Sequence, residues 1–447
     1  MIQQLTMKKN CYKTIGILLT VCLFPAWGGL NAQQKKTVSL EECIEKALEA
    51  NYSIKIARNQ EKVAGNNLNY SPFLPTLGVN AGQKETVNDG KTITNGEERS
   101  LDNSRSDVLT AGVGLNWRLF DGMGMFVTQN RYKEILAIGE LNTLMAVENL
   151  IITVSSSYYN VIMQHSKLDA ARHSLDLSTE RYKEAKDKYV LGVLSGLEAQ
   201  QAKLDLNADS SNYMKQKELL KSAYIALNLS MNAELQQAMY VKDSIMLRNP
   251  LIYKDLNDRM LESNTTLLIG RRDRKVSELD LKLARSVIFP TLDFAAGYNY
   301  SKTKQPAAAT SLNRTNGPYW GFSVNVDVFN RLENRKKIKN ARLDMENTDL
   351  SYQEAELQLR ADLAQLYNTY ENNLQIVNFE KESAGVAFEN LDAAMEKYKL
   401  GALSGIEFRE FQRSYIDAVD REVTALYQAK VSELSLLLLS GDLKVKN

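Results

Sequence analysis

The chain is 447 residues long, with a formal net charge of +1, 24% charged residues and seven prolines. Such a balance leaves no basic footprint for nucleic acid. Proline is absent between Pro75 and Pro250 and again after Pro318, so two long runs lack the strongest helix breaker and very long helices are the expectation.

Residues 1–32 read as a signal peptide. Lys8, Lys9 and Lys13 make a basic n-region, residues 15–27 an apolar h-region, and Ala32 is the simplest cleavage point. Met7 serves equally well as the start. Removing the leader takes away three lysines and no acid, moving the formal charge from +1 to −2. Cys11 and Cys22 leave with it and only Cys43 remains, so no internal disulfide can form. Lipidation at Cys22 is disfavoured because Val21 stands where a small residue is wanted. No later stretch offers some 18 consecutive apolar residues, so no membrane-spanning helix is expected and a barrel is the remaining way into a bilayer.

Ser39 and Glu42 frame a capping box that opens a helix expected over 39–69, stopped by Pro72 and Pro75. The period then changes to two. Strands are predicted at 76–86 and 108–119, the second with Leu109, Ala111, Val113, Leu115 and Trp117 on one face and Thr110, Asn116 and Arg118 on the other. The polar stretch between reads as a loop. A long helix is predicted over 121–191, its Val147, Leu150, Val154, Val161, Leu168, Ala171, Leu175, Tyr182, Ala185 and Tyr189 on one heptad seam. At 1.5 Å per residue such a rod is roughly 105 Å long. A second helix, 196–231, returns.

After a mixed connection over 232–253, the plan begins again. The expected elements are a helix at 254–286, strands at 291–301 and 318–329, a long helix at 330–400, a helix at 405–440 and a tail, 441–447. The second rod carries Leu363, Tyr370, Val377, Ala384, Leu391 and Tyr398 on its seam. The chain therefore reads as two structural repeats, 33–231 and 254–440.

Both rods end in the same corner. KYVLGVLSGLE at 188–198 and KYKLGALSGIE at 397–407 share tyrosine, glycine, serine and glutamate at an offset of 209. Gly192 and Gly401 supply the left-handed residue past a helix end, and Ser195 with Glu198, and Ser404 with Glu407, open the next helix as capping boxes.

Four strands with one apolar face cannot close a barrel, and an open edge in lipid leaves backbone groups unpaired. Three copies would supply twelve strands, an even number within the range of outer-membrane barrels. Trp117, Phe120, Trp320 and Phe329 near strand ends would suit its aromatic girdle. The fold class expected is an α+β membrane protein. Four antiparallel strands per chain would enter a trimeric twelve-stranded barrel, continued by coiled-coil helices as a periplasmic tunnel.

In this order of elements, with Leu74, Pro75, Thr76 and Leu77 answered by Phe289, Pro290, Thr291 and Leu292, and Phe120 and Asp121 by Phe329 and Asn330, the chain over about 39–440 resembles the TolC-like outer-membrane efflux proteins. The resemblance implies a homotrimeric exit channel of a tripartite pump, spanning outer-membrane lipid. Its partners would be a periplasmic adaptor (membrane fusion protein) and an inner-membrane transporter of the RND or ABC type, with no nucleic acid and no cofactor. It also implies that adaptor tips dock at Leu191, Gly192, Val193, Leu194 and Ser195, and at Leu400, Gly401, Ala402, Leu403 and Ser404. The family's acidic periplasmic aperture would fall on Glu407 and Glu410, with Leu403 where the family has a latching arginine.

Other readings stand beside these. Glu198 and Glu407 are also N3 capping carboxylates, Glu410 can be a solvated surface acid, and the corner glycines are needed by backbone geometry whatever they bind. His165 and His173 are expected to be solvent-facing or interhelical. No zinc spacing, phosphate-binding loop or nucleophile triad marks the chain as an enzyme. The same duct would serve type I protein secretion, and a periplasmic coiled-coil scaffold is the alternative outside transport.

Overall fold

A computed structural model describes residues 37–443 except 95, 238, 242, 249 and 306–310. The expected signal peptide, Cys22 and the end of the tail lie outside the described residues.

Helices α1 (Leu40–Ala50) and α2 (Tyr52–Asn67) lead to β1 (Thr76–Thr94) and β2 (Glu97–Asp121), followed by α3 (Gly124–Val190) and α4 (Gly196–Ser230). The second half repeats the order with α5 (Tyr253–Ser263), α6 (Thr265–Ser286), β3 (Thr291–Lys304), β4 (Leu312–Asn325), α7 (Glu333–Lys399) and α8 (Gly405–Leu439). One antiparallel sheet runs β1-β2-β3-β4, so β2 and β3 pair although the long helices separate them in sequence. β1 and β4 are its edges.

Several predicted elements are corrected. The helix expected over 39–69 breaks at Asn51, whose backbone is extended while its side chain accepts from the Ser53 N–H and caps α2. Asn264 breaks the helix expected over 254–286 in the same way, accepting from Thr266 and Leu267. The polar loop expected between the first two strands is a ladder with one register shift between Asn88 and Gly90, Glu85 pairing with Asp107 and Thr94 with Glu97. Where both faces of a hairpin meet water, nothing imposes a period of two. β4 is likewise longer at its start, from Leu312, and ends at Asn325, four residues before its predicted end. The rods begin later than expected, at Gly124 and Glu333, because Gly122 and Met123, and Arg331 and Leu332, hold left-handed backbone.

The seam of α3 buries Leu150, Val154, Val161, Ala171 and Ala185, but Tyr189 is exposed. α3 also holds one 18-residue stretch with mean hydropathy 1.5, long and apolar enough by composition to cross a membrane. It is not an unbroken apolar run, because Glu140, Asn142, Glu148 and Asn149 recur along this part of α3.

The largest core gathers Cys43, Ala47 and Ile54 with Val154, Tyr158 and Val161 of α3 and Leu227 of α4. The connection after α4 closes it. Thr37 bridges Tyr240 in parallel, and the Tyr158 hydroxyl bonds the Val38 carbonyl and Asp243. Further along, Lys430 and Glu433, a buried pair on α8, hold the Met246 carbonyl and the Arg248 N–H. Burial raises the Cys43 thiol to a pKa of about 11, only partly opposed by Lys46, so Cys43 acts as a small core residue.

Candidate functional site

The two corners lie at the same end of the molecule, where α3 turns into α4 and α7 into α8. Gly192, at φ +77°, lets the Val193 N–H turn back to the Lys188 carbonyl at 2.9 Å. Gly401, at φ +74°, does the same for Ala402 and Lys397 at 2.9 Å. These satisfy the last carbonyls of each rod. Both capping boxes are complete: Ser195 caps α4 and receives Glu198, while the Ser404 N–H donates to Glu407 at 2.9 Å and Ser404 Oγ accepts from the Glu407 N–H at 3.3 Å.

The corners are neighbours. Lys188 places its ammonium over the Tyr398 ring, 5.6 Å from the centroid, and Arg181 donates to the Gly405 carbonyl at 3.2 Å. Leu191, Val193 and Leu400 stand exposed at the turns, whereas Leu194 and Leu403 are half-buried. Gly192, Ser195, Gly401, Ala402 and Ser404 are all exposed. Leu403 packs against a cluster of Leu391, Ala394, Met395 and fully buried Phe408, with Leu177 of α3 and Tyr398 at its edge. In place of a charge reaching outward, this position carries an apolar plug.

Glu407 and Glu410 are exposed and three residues apart on α8, hence on one face. The backbone N–H and then the hydroxyl of Ser404 hold the Glu407 carboxyl below its ordinary pKa. The carboxylate thus caps the helix and faces solvent at once.

Within about five turns of the corners lies a polar layer that the sequence does not reveal. Arg181 of α3, almost fully buried, pairs with Asp205 of α4. Arg409 of α8 reaches Asp209 of α4 through two N–H···O contacts, 2.6 and 2.9 Å. Between them buried Gln412 donates to the Ser174 carbonyl at 2.8 Å and to Ser178 Oγ at 2.9 Å, and Ser178 donates to Asp209. Two arginines thus meet two aspartates across helices from both hairpins. Burial works against the Arg409 charge, but the hydrogen bond and charge of Asp209, with Asp205 behind it, prevail and raise its pKa. No single helix carries a signal for this layer: Asp205 and Asp209, four apart on α4, look like a solvated face, and the matching arginines lie on other helices.

The two histidines lie against aromatic rings of other elements. His165 packs edge-on against Tyr240 and His173 against Tyr415, at 5.8 and 5.9 Å. Among the described residues no group of three or more His, Cys, Asp or Glu could hold a metal.

The sequence pattern of the outer membrane efflux proteins matches residues 43–233 and 256–442, each half separately. The chain belongs to the outer membrane efflux protein family. As a member it is a protein of the outer membrane, with its helical part in the periplasm. It is 20% identical over 390 residues to the outer membrane protein TolC of Escherichia coli strain K12, covering 83% of this chain and 76% of that protein. It is 21% identical over 297 residues to the cation efflux system protein CusC of the same strain, covering 65% of this chain and 64% of CusC, so the match spans less than two thirds of that relative. In fold it is similar to the Campylobacter jejuni CmeC outer membrane channel, with a TM-score of 0.72 at 15% identity over 96% of this chain and 94% of CmeC.

Proposed function

We propose that three copies of this chain form a passive exit duct for small molecules across the outer membrane, energised by an inner-membrane RND or ABC transporter through a periplasmic adaptor. The observation that carries the reading is one sheet, apolar on one face and polar on the other with two edge strands, continuous with 67-residue rods. In lipid those edges must be paired, and a neighbour's β1 beside β4 does so for both.

The helices point the same way. α6 is held on both flanks, Arg131 of α3 reaching Asp280 at 2.5 Å and Arg274 reaching Asp349 of α7 at 2.6 Å. Its counterpart α2 packs along α3 and leaves Tyr52, Ile56 and Val63 exposed, while α7 exposes Leu343, Leu350 and Leu357, seven residues apart. A neighbouring copy that lays its α2 along this α7 would cover both stripes, a head-to-tail contact that closes a ring. Equal lengths of α3 and α7, 67 residues, and of α4 and α8, 35 residues, support duplication of one structural half.

At the periplasmic end, Glu407 and Glu410 would line the aperture as six carboxylates, and the exposed turns at 191–195 and 400–404 would seat the adaptor. Leu403 cannot act as an electrostatic latch. Arg409 on Asp209, with Arg181 on the Gly405 carbonyl, takes that part, fastening the inner hairpin (α7–α8) to the outer one (α3–α4).

Reconstitution in planar bilayers tests the reading. Heat-sensitive trimers and ion conductance that rises in the Glu407→Ala, Glu410→Ala variant are expected. A folded protein that conducts in neither form overturns it.

A further inference from the structure

The polar face of the sheet has a level built almost entirely of glycine. Across one row of the register Gly78 of β1 stands opposite Gly114 of β2, Gly114 opposite Gly297 of β3, and Gly297 opposite Tyr319 of β4. By strand alternation this row shares its face with Asn116 and Thr110 and lies opposite Val113, Leu115 and Trp117.

Three adjacent residues without side chains leave a recess, and Tyr319 fills it. A methyl group added to Gly297 would lie 2.7 Å from the Tyr319 hydroxyl and 2.8 Å from its Cε1, and one on Gly114 would lie 3.1 Å from the same hydroxyl. The ring therefore lies along the wall, across β3 and out to β2, whereas strand side chains ordinarily stand perpendicular to the sheet. Neighbouring strands are about 4.8 Å apart, so a phenol just spans that reach. Only glycine permits this, because any Cβ at position 297 would collide with the ring and also with the Val113 carbonyl oxygen.

We infer that the glycine row is a recess that stores the Tyr319 ring against the barrel wall, and that Tyr319 in this position sets the size limit for solutes at that level. The assignment rests on reading the polar face as the lumen of a trimeric channel. Three such rings standing upright would narrow the bore from three sides; lying flat, they leave it wider. Passage would accordingly be limited by the solute's cross-section at this level and not by its charge, since the row carries no ionisable group other than the phenol.

Gly114 is the position to test, because an added Cβ there meets only the mobile end of Tyr319. A cysteine at Asn116, exposed on the same face and one level nearer the helices, reports what passes. The reagents are maleimide-linked polyethylene glycols of graded size, added to whole cells, with a small maleimide as reference. In the Gly114→Val background the largest reagent that labels the unaltered barrel is expected to lose access while the small maleimide still reacts. Tyr319→Ala is expected to restore that access in the double variant, and by itself to raise the size limit. Unchanged labelling in Gly114→Val, or an equal loss with and without Tyr319, overturns the inference. Should Gly114→Val fail to form heat-sensitive trimers, Tyr319→Ala alone decides, an unchanged size limit counting against it. If the small maleimide does not reach Asn116→Cys in the unaltered barrel, the channel reading itself fails.

Discussion

Asp209 and Arg409 lie 200 residues apart in the chain and face each other through two contacts, of 2.6 and 2.9 Å, with side chains only 5% and 20% exposed. The pair ties α8 of one hairpin to α4 of the other within a single chain. A buried ion pair adds little over an apolar contact, but losing one partner strands a charge in a poorly solvated site. Its value here is that it can be broken as a unit.

Arg409→Ala is therefore expected to cost about 3–5 kcal/mol locally and to free the inner hairpin. In bilayers the conductance of the variant should exceed that of the unaltered channel, and Asp209→Ala should give a similar increase. Because both remove the same link, the double variant should gain little beyond either one. Additive increases would show that the two residues act separately.

The second corner has a defined response to acid. Ser404 holds the Glu407 carboxyl below the 4.5 usual for a glutamate, so the folded state favours the carboxylate. A group with a depressed folded pKa contributes stability that is complete above its unfolded pKa and lost as pH falls through the folded one. Amide-exchange protection at the Glu407 N–H, normalised for intrinsic rates, should be level at neutral pH and decline only below 4.5. Glu407→Gln should flatten the profile. A decline beginning near neutrality would contradict the capping geometry.

Two glycines with the same backbone sign should differ in tolerance. Gly192, at φ +77°, has no atom within 4 Å of an added Cβ, so Gly192→Ala bears only the left-handed penalty, about 1–2 kcal/mol. Gly122, at φ +69°, would drive its Cβ into the Ser286 carbonyl and to 2.6 Å from the Phe289 Cβ. Thermal dissociation of the trimer in detergent should be lowered much further by Gly122→Ala than by Gly192→Ala.

Corners were legible in the sequence because their chemistry is local: a left-handed glycine and a capping box occupy eleven consecutive residues, 188–198 and 397–407. The rods were legible because heptad spacing persists where proline is missing. The breaks at Asn51 and Asn264 are not legible, since hydrophobic periodicity runs through a break that only a side-chain cap reveals. The far end of the β1–β2 hairpin is not legible because water on both faces erases alternation. The Arg181 and Arg409 layer is assembled from three helices, and Tyr319 in its recess depends on register across three strands. Neither has any one-dimensional trace.

The exposed leucines of α7 give the sharpest separation between a trimeric duct and a free-standing coiled coil. Leu343, Leu350 and Leu357 are 57%, 55% and 70% exposed in the single chain, so replacing Leu350 by Lys removes almost no packing within a protomer, and surface changes of that kind usually stay within about 0.5 kcal/mol. If a second copy covers this stripe, the same substitution places a charge in each of three interfaces, and trimers should be lost. Helix content by circular dichroism should be unchanged while the heat-sensitive band disappears and bilayer conductance with it. Trimers that survive Leu350→Lys would mean that α7 faces water, and the packing of α2 against α7 between copies would have to be abandoned.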